Sequence, residues 1–345
     1  MAAAQQDESA LRVGFCTHPA MLEHDTGPYH PERPDRLIAI SKALRAAGLL
    51  HTPDPFPDLQ IDFGPLAPAR SRLVELTAAP ADEKWLQLVH RREYIERVRH
   101  VCRHNGVLDQ GDTPCMHRSF EAALWSVGCA LQCCDAVMNG QVQRAFAAVR
   151  PPGHHAEPHL PMGFCLFSNI AIAARYIQKC YGIERIAIVD FDVHHGNGTQ
   201  AAFEHEATVH FTSLHQDPRT CYPRTGFAWE IGTGIGRGYT LNLPFNPGAE
   251  DADYLRVVDL RVVPELEEYQ PQVLMISAGF DAHYAETLAE PQIRLTEEGY
   301  ELLTRSLMAV AARHCQGRVI SLLEGGYNLR SLGRSVVRHI MAMQE

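Results

Sequence analysis

Arg185-Ile-Ala-Ile-Val-Asp-Phe-Asp-Val-His-His-Gly-Asn-Gly198 joins a short apolar, β-branched run to a dense group of carboxylates and imidazoles. The run has the length and composition of a buried strand, so the polar group falls where that strand ends. If the chain stays extended beyond Val189, side chains two apart share a face, and Asp190, Asp192 and His194 project together. That is a geometry a divalent metal can use. Any one of these residues, taken alone, reads as a solvated loop or a helix cap; four within six positions, with His195, do not.

Similar apolar runs recur at Phe146-Ala-Ala-Val149, Thr208-Val-His-Phe-Thr212, Val273-Leu-Met-Ile-Ser277 and Arg318-Val-Ile-Ser-Leu-Leu323. Between them, Asn169–Tyr181, Asp253–Tyr269 and Thr296–His314 carry apolar residues at three- and four-residue spacing and read as helices. Strand alternating with helix predicts an α/β fold with a parallel sheet and helices on both faces. The segments just past the strands are equally regular: Arg150-Pro-Pro-Gly-His-His-Ala156, then Asp190–Gly198, Ala278-Gly-Phe-Asp-Ala-His283 and Glu324-Gly-Gly-Tyr-Asn328. In open parallel sheets ligands bind outside the carboxyl ends of the strands, where these clusters lie.

At 345 residues, 46% of them apolar and 21% charged, the chain suits one large domain or two ordinary ones. No repeat, low-complexity tract or charged linker divides it, and the Pro-rich stretch 53–69 reads as a surface loop within one domain. The small polar residues 1–10 read as a flexible tail ahead of a single domain spanning 11–345. They lack the marks of a secretory signal, and no run approaches the roughly 20 apolar residues of a membrane span, so the expectation is a cytoplasmic protein. Ten cysteines without a CxxC pair, including Cys129, Cys133 and Cys134 on a predicted helix, read as buried reduced thiols. A formal charge of −10 argues against a nucleic-acid partner and tolerates a cationic substrate. Gly232-Thr-Gly-Ile-Gly-Arg-Gly238 matches neither phosphate-loop spacing and reads as a surface turn.

Asp192 and His194, joined by Asp281 from another strand end, would give a metal three protein ligands and leave a position open, as catalytic zinc sites do. Iron(II) accepts similar donors. Asp190 could face the same pocket and hold a histidine ring through a hydrogen bond. The stiff Pro151-Pro152-Gly153 turn could bring His154 and His155 into one cleft, one to deprotonate water and the other to donate. Gly325-Gly326 permits a close approach that would present Tyr327 inward, where a phenol can bind an oxyanion; a packed tyrosine at a strand-to-helix turn is the competing reading.

In this order the clusters resemble the zinc-dependent histone deacetylase superfamily, with its bacterial histone deacetylase-like amidohydrolases and acetylpolyamine amidohydrolases. The resemblance runs from His30-Pro-Glu-Arg-Pro-Asp-Arg-Leu37 through Gly111-Asp-Thr113, Arg150–Ala156, Gly163-Phe-Cys165, Asp190–Gly198, Ser213-Leu-His-Gln216, Tyr222-Pro, Thr225-Gly and Ala278–Ala282 to Glu324–Asn328. It implies a single arginase/deacetylase-like α/β domain with a mostly parallel eight-stranded sheet. It also implies zinc on Asp192, His194 and Asp281, with His154 and His155 as tandem catalytic histidines and Tyr327 polarising the carbonyl. Asp190 would pair with His154 and Asn197 with His155; the neutral Asn favours a class II-like or bacterial type. Phe164 and Tyr222 resemble the aromatics flanking an acyl-lysine channel, with Gly163 beside them and Asp112 as a rim carboxylate. Tyr222 replaces the usual Phe. A structural potassium ion would use Asp190, Asp192, His194, Ser213 and Leu214. After Asp281 the family usually has Asp-Pro-Leu, whereas this chain has Glu286-Thr-Leu288.

The implied function is zinc-dependent removal of acetyl or other acyl groups from lysine side chains by activated water. The implied partner is therefore an acyl-lysine protein or peptide; an acetylated polyamine is the alternative, and homo-oligomerisation is compatible with either. A two-manganese arginase-type ureohydrolase would want an Asp-x-Asp pair where this chain has only Asp281. An inactive acyl-lysine-binding protein would need neither a base nor a proton donor.

Overall fold

A computed structural model describes residues 11–69, 71–109 and 111–345; the expected tail, 1–10, lies outside the described residues. Along the chain come β1 (Val13–Cys16), α1 (Asp35–Ala46), β2 (Val74–Leu76), α2 (Arg92–Arg103), α3 (Ser119–Met138), β3 (Arg144–Ala147) and α4 (Asn169–Tyr181). After these stand β4 (Ile186–Asp190), α5 (Asn197–Phe203), β5 (Val209–Gln216), β6 (Thr240–Phe245), α6 (Asp251–Val257) and α7 (Val263–Tyr269). The last elements are β7 (Val273–Ala278), α8 (Glu297–His314), β8 (Val319–Leu323) and α9 (Leu329–Met343).

The strands form one eight-stranded sheet in the order β2-β1-β3-β8-β7-β4-β5-β6. Every neighbouring pair is parallel, so the expected mostly parallel sheet is entirely so. The central strands β3, β4, β7 and β8 are buried along their whole length, which is why they read as unbroken apolar runs rather than alternating ones. Helices α2, α3, α4 and α5 pack as one layer, and α1, α6, α7, α8 and α9 as another. Local chemistry agrees with the boundaries. Gly182 closes α4 in a left-handed conformation, and Thr296 caps α8 by accepting the Gly299 N–H.

The helix expected over Asp253–Tyr269 is α6 and α7 joined by a single wider π-turn, Val258–Val262. Pro264, in the first turn of α7, has no N–H to give back to the preceding turn, and widening that turn accommodates its ring. The Pro-rich stretch 53–69 is irregular surface chain, as expected.

One crossover positions the site. After β3 the chain skips two places to lay down β4, then builds outward through β5 and β6; β7 and β8 later fill the gap. The carboxyl ends of β3, β8, β7 and β4 therefore stand side by side, and these are the four ends that carry the polar clusters.

Candidate metal centre and active-site pocket

β4 stops at Asp190, and beyond it the chain does not stay extended. Asp190 Oδ1 accepts the Asp192 N–H at 3.1 Å and Asp192 Oδ1 accepts the His194 N–H at 2.9 Å. These two successive side-chain turns, rather than a strand pleat, gather Asp190, Asp192 and His194. From the end of β7, Asp281 Oδ1 ties down the Val193 N–H at 2.9 Å. His194 Nδ1 then lies 3.0 Å from Asp192 Oδ1 and 3.1 Å from Asp281 Oδ2, and one donor atom from each of the three buried residues falls within 4.8 Å of the others. A Cβ at Gly279 would sit 2.0 Å from Asp192 Oδ2 and one at Gly325 would sit 2.1 Å from Asp281 Oδ2, so only glycine lets β7 and β8 close on this cluster.

The donor set fits a divalent ion. Two carboxylates facing one imidazole, all out of water, form a site whose negative charge calls for a cation, and zinc takes such ligands at about 2.0–2.2 Å. Asp190, the last residue of β4, is the register partner of Ser213 within β5, and Leu214 follows it on the same strand.

From the β3 end, His154 Nδ1 lies 3.0 Å from Asp190 Oδ2, and His155 Nδ1 lies 2.7 Å from Asn197 Oδ1. The two rings are 4.0 Å apart at 42°. Their electrostatics differ. Burial works against a charge on His154, yet Asp192 and Asp190 push it up to about 10. Burial also pushes the Asp190 carboxyl up, against the pull of the neighbouring His154. His155 is held well below the usual histidine range by burial and then by the neighbouring His154 and His194. The surroundings thus favour a charge on His154 and disfavour one on His155. Beneath them Glu324, pushed up to about 7 by burial, accepts the Gly153 and His154 N–H groups at 2.7 and 3.1 Å.

Above this three-residue cluster opens a cavity of about 240 Å³ whose walls include Asp112, His155, Gly163, Phe164, Tyr222 and Tyr327. Phe164 meets Tyr327 edge-on at 5.8 Å, and Tyr222 meets His155 edge-on at 5.2 Å. Phe164 has φ 69°, a strained value for a non-glycine residue, and the Thr113 hydroxyl accepts its N–H at 3.0 Å. Glu290 Oε2 fixes the Tyr222 N–H at 2.9 Å, and Glu286 Oε2 fixes that of Tyr327 at 2.9 Å. Burial raises the Tyr327 phenol well above its usual range, so it remains a hydrogen-bond donor. His195 turns away from the cavity. Its ring nitrogens lie 2.8 Å from Thr225 Oγ1 and 3.0 Å from Gln200 Oε1, which ties the ring to the loop at Thr225 and to α5.

Among the charged residues that the sequence does not assign, Glu32, Arg36 and Arg150 form a buried group. Glu32 receives Arg36 Nη1 at 3.1 Å and Arg150 Nε and Nη2 at 2.9 and 2.8 Å, all fully buried. Arg36 also donates to the Gly326 carbonyl at 2.7 Å and lies over the Tyr327 ring at 4.8 Å. The signal was the Glu32/Arg36 spacing of four within the quoted His30–Leu37 motif. Glu32→Ala leaves two guanidiniums buried without their partner and is expected to cost about 3–5 kcal/mol in urea unfolding. Burial opposes its charge, but Arg150 and then Arg36 hold its carboxyl down at about 2 against an ordinary 4.5. The stabilisation from Glu32 is therefore complete above pH 4.5 and drains away as the pH falls towards 2. An acid-unfolding midpoint that does not move in Glu32→Gln would contradict this.

At the strand ends of this parallel α/β domain a carboxylate–imidazole cluster that could hold a metal, two adjacent histidines and a phenol converge, the residue types that metal-assisted hydrolysis uses. The chain belongs to the histone deacetylase family: the histone deacetylase domain matches residues 30–343. It is 38% identical over 317 residues to a probable deacetylase of Archaeoglobus fulgidus, covering 92% of this chain and 82% of that one. It is 38% identical over 260 residues to a histone deacetylase-like amidohydrolase of Pseudomonas aeruginosa, covering 75% and 67%. The crystal structure of the HDA15 HD domain superposes with TM-score 0.85 at 34% identity, covering 97% of this chain and 90% of that one. Among the described residues no helix is long and apolar enough to cross a membrane.

Proposed function

We propose that this protein hydrolyses the amide of acylated lysine side chains. The observation that carries the proposal is a cavity walled by Phe164, Tyr222 and Tyr327 that opens onto His155 and His194, the latter one of three buried residues able to hold a metal. Phe164 and Tyr222 would flank the alkyl stem of the substrate and bring its carbonyl to the cavity floor. Asp192, His194 and Asp281 would hold zinc, which supplies Lewis acidity towards the carbonyl and the attacking water. His155 would take the proton of that water and return it to the leaving amine. Tyr327 would donate a hydrogen bond to the carbonyl oxygen as it gains charge, while cationic His154, held by Asp190, stabilises the same negative charge. Asp112, at the mouth, would bind the substrate backbone.

Acetyl-lysine peptide and acetylputrescine, compared under the same conditions with metal content measured alongside, separate the two substrate classes. A higher kcat/KM on the peptide is expected. Preference for acetylputrescine would move the assignment to polyamines, and failure on both with a full complement of zinc would sink the deacylation reading.

A further inference from the structure

The amide of Asn197 has an acceptor end and a donor end of nearly the same shape, and which end faces His155 decides what that histidine can do. A neutral imidazole carries one N–H. When the amide oxygen faces Nδ1, the proton sits on Nδ1 and Nε2 keeps its lone pair. When the NH2 faces Nδ1, the proton moves to Nε2 and the ring can no longer act as a base through that atom.

Three acceptors surround the donor end: Glu157 Oε1 at 2.9 Å, Met162 Sδ at 3.1 Å and the His155 carbonyl at 3.4 Å. The thioether is a weak acceptor and the carbonyl bond is long, whereas the carboxylate bond is short and charge-assisted. Glu157 itself is anchored through its backbone. Its N–H donates to the Leu160 carbonyl at 2.9 Å, and its own carbonyl lies 3.1 Å from His90 Nδ1. We infer that Glu157 is a positioning residue: it locks the Asn197 amide with its oxygen towards His155 and thereby selects the ring tautomer that leaves Nε2 free as a base. The kinetic consequence rests on the deacylation reading above; the tautomer does not.

Two acceptors in series explain how a neutral Asn can stand beside the general base. An Asp at 197 would need no orienting partner, because both its oxygens accept, but it would face Glu157 at hydrogen-bond distance and repel it. The prediction is therefore a pattern across variants. Glu157→Ala should lower kcat about 10–100-fold with little change in KM, a range usual for loss of an outer-shell partner. Glu157→Gln, which still offers an amide oxygen, should stay near the unaltered rate. Asn197→Asp combined with Glu157→Ala should recover most of the loss and exceed Asn197→Asp alone. Ring 15N shifts of His155, identified by their loss in His155→Ala, should report an Nδ1–H ring in the unaltered protein and a mixture of tautomers in Glu157→Ala. The inference is overturned if Glu157→Gln loses as much as Glu157→Ala, if the double variant does not recover, or if the tautomer is unchanged by Glu157→Ala. If the unaltered protein hydrolyses no acylated amine, the proposed function fails and the nitrogen shifts alone decide the tautomer.

Discussion

Tyr327→Phe is expected to lower kcat by about 10²–10³-fold, the loss typical of removing one donor from an oxyanion site, while KM and the unfolding midpoint barely move. The ring is held independently of its hydroxyl: Phe164 packs edge-on against it, Arg36 lies over it, and Glu286 fixes its backbone N–H. Phenylalanine therefore keeps the shape of the cavity and removes only the group that would meet the developing charge. The phenol is raised well above its usual range, so no pH near neutrality converts it to a phenolate that could not donate. Steady-state rates on an acetyl-lysine peptide, with thermal unfolding as the control for folding, provide the check. Turnover close to that of the unaltered protein would remove Tyr327 from the mechanism.

The strands that carry this site were legible because they are central. β4, β7 and β8 are buried on both faces and so appear as continuous β-branched runs with polar residues at one end. The outer strands were not legible, for a physical reason. β2 is three residues with one side chain exposed, β1 contains Gly14, and β6 carries Pro244, so each owes its conformation to pairing with a neighbour rather than to its own pattern. The strand order was equally hidden, since it is set by which crossover returns to fill the gap between β3 and β4.

Within the site, legibility tracked sequence distance. Asp190, Asp192 and His194 announce themselves within five residues, although the sequence suggested a pleat where the structure uses side-chain turns. Residues that hold the candidate site in place reach across the fold. Glu157 is 40 residues from Asn197, Glu286 is 41 from Tyr327 and Glu324 is 171 from Gly153. A carboxylate acting at such a distance looks, in sequence, like any solvated one. The departure at Glu286 was visible, and in the structure its Oε2 accepts the Tyr327 N–H.

His155→Ala is expected to lower kcat by about 10²–10⁴-fold, the range for losing a positioned general base, and the pH dependence of the unaltered protein should identify that base. A base works only unprotonated, so kcat/KM must fall as the pH drops through its pKa. Burial, then the neighbouring His154 and His194, hold His155 well below 6.5, and a dication bound to His194 would repel a proton on His155 in place of a charge on that ring. The acid limb of kcat/KM should therefore lie below pH 6.5. His154→Ala removes the neighbouring charged ring and should move that limb upward, with a smaller loss of rate than His155→Ala. The opposite assignment, His154 as base, makes different predictions. A ring pushed up to about 10 by Asp192 and Asp190 is protonated throughout the neutral range, and the limb would have to lie on the alkaline side. A limb above about pH 8, or a His154→Ala variant as inactive as His155→Ala with its limb unmoved, would reverse the roles given to the two histidines.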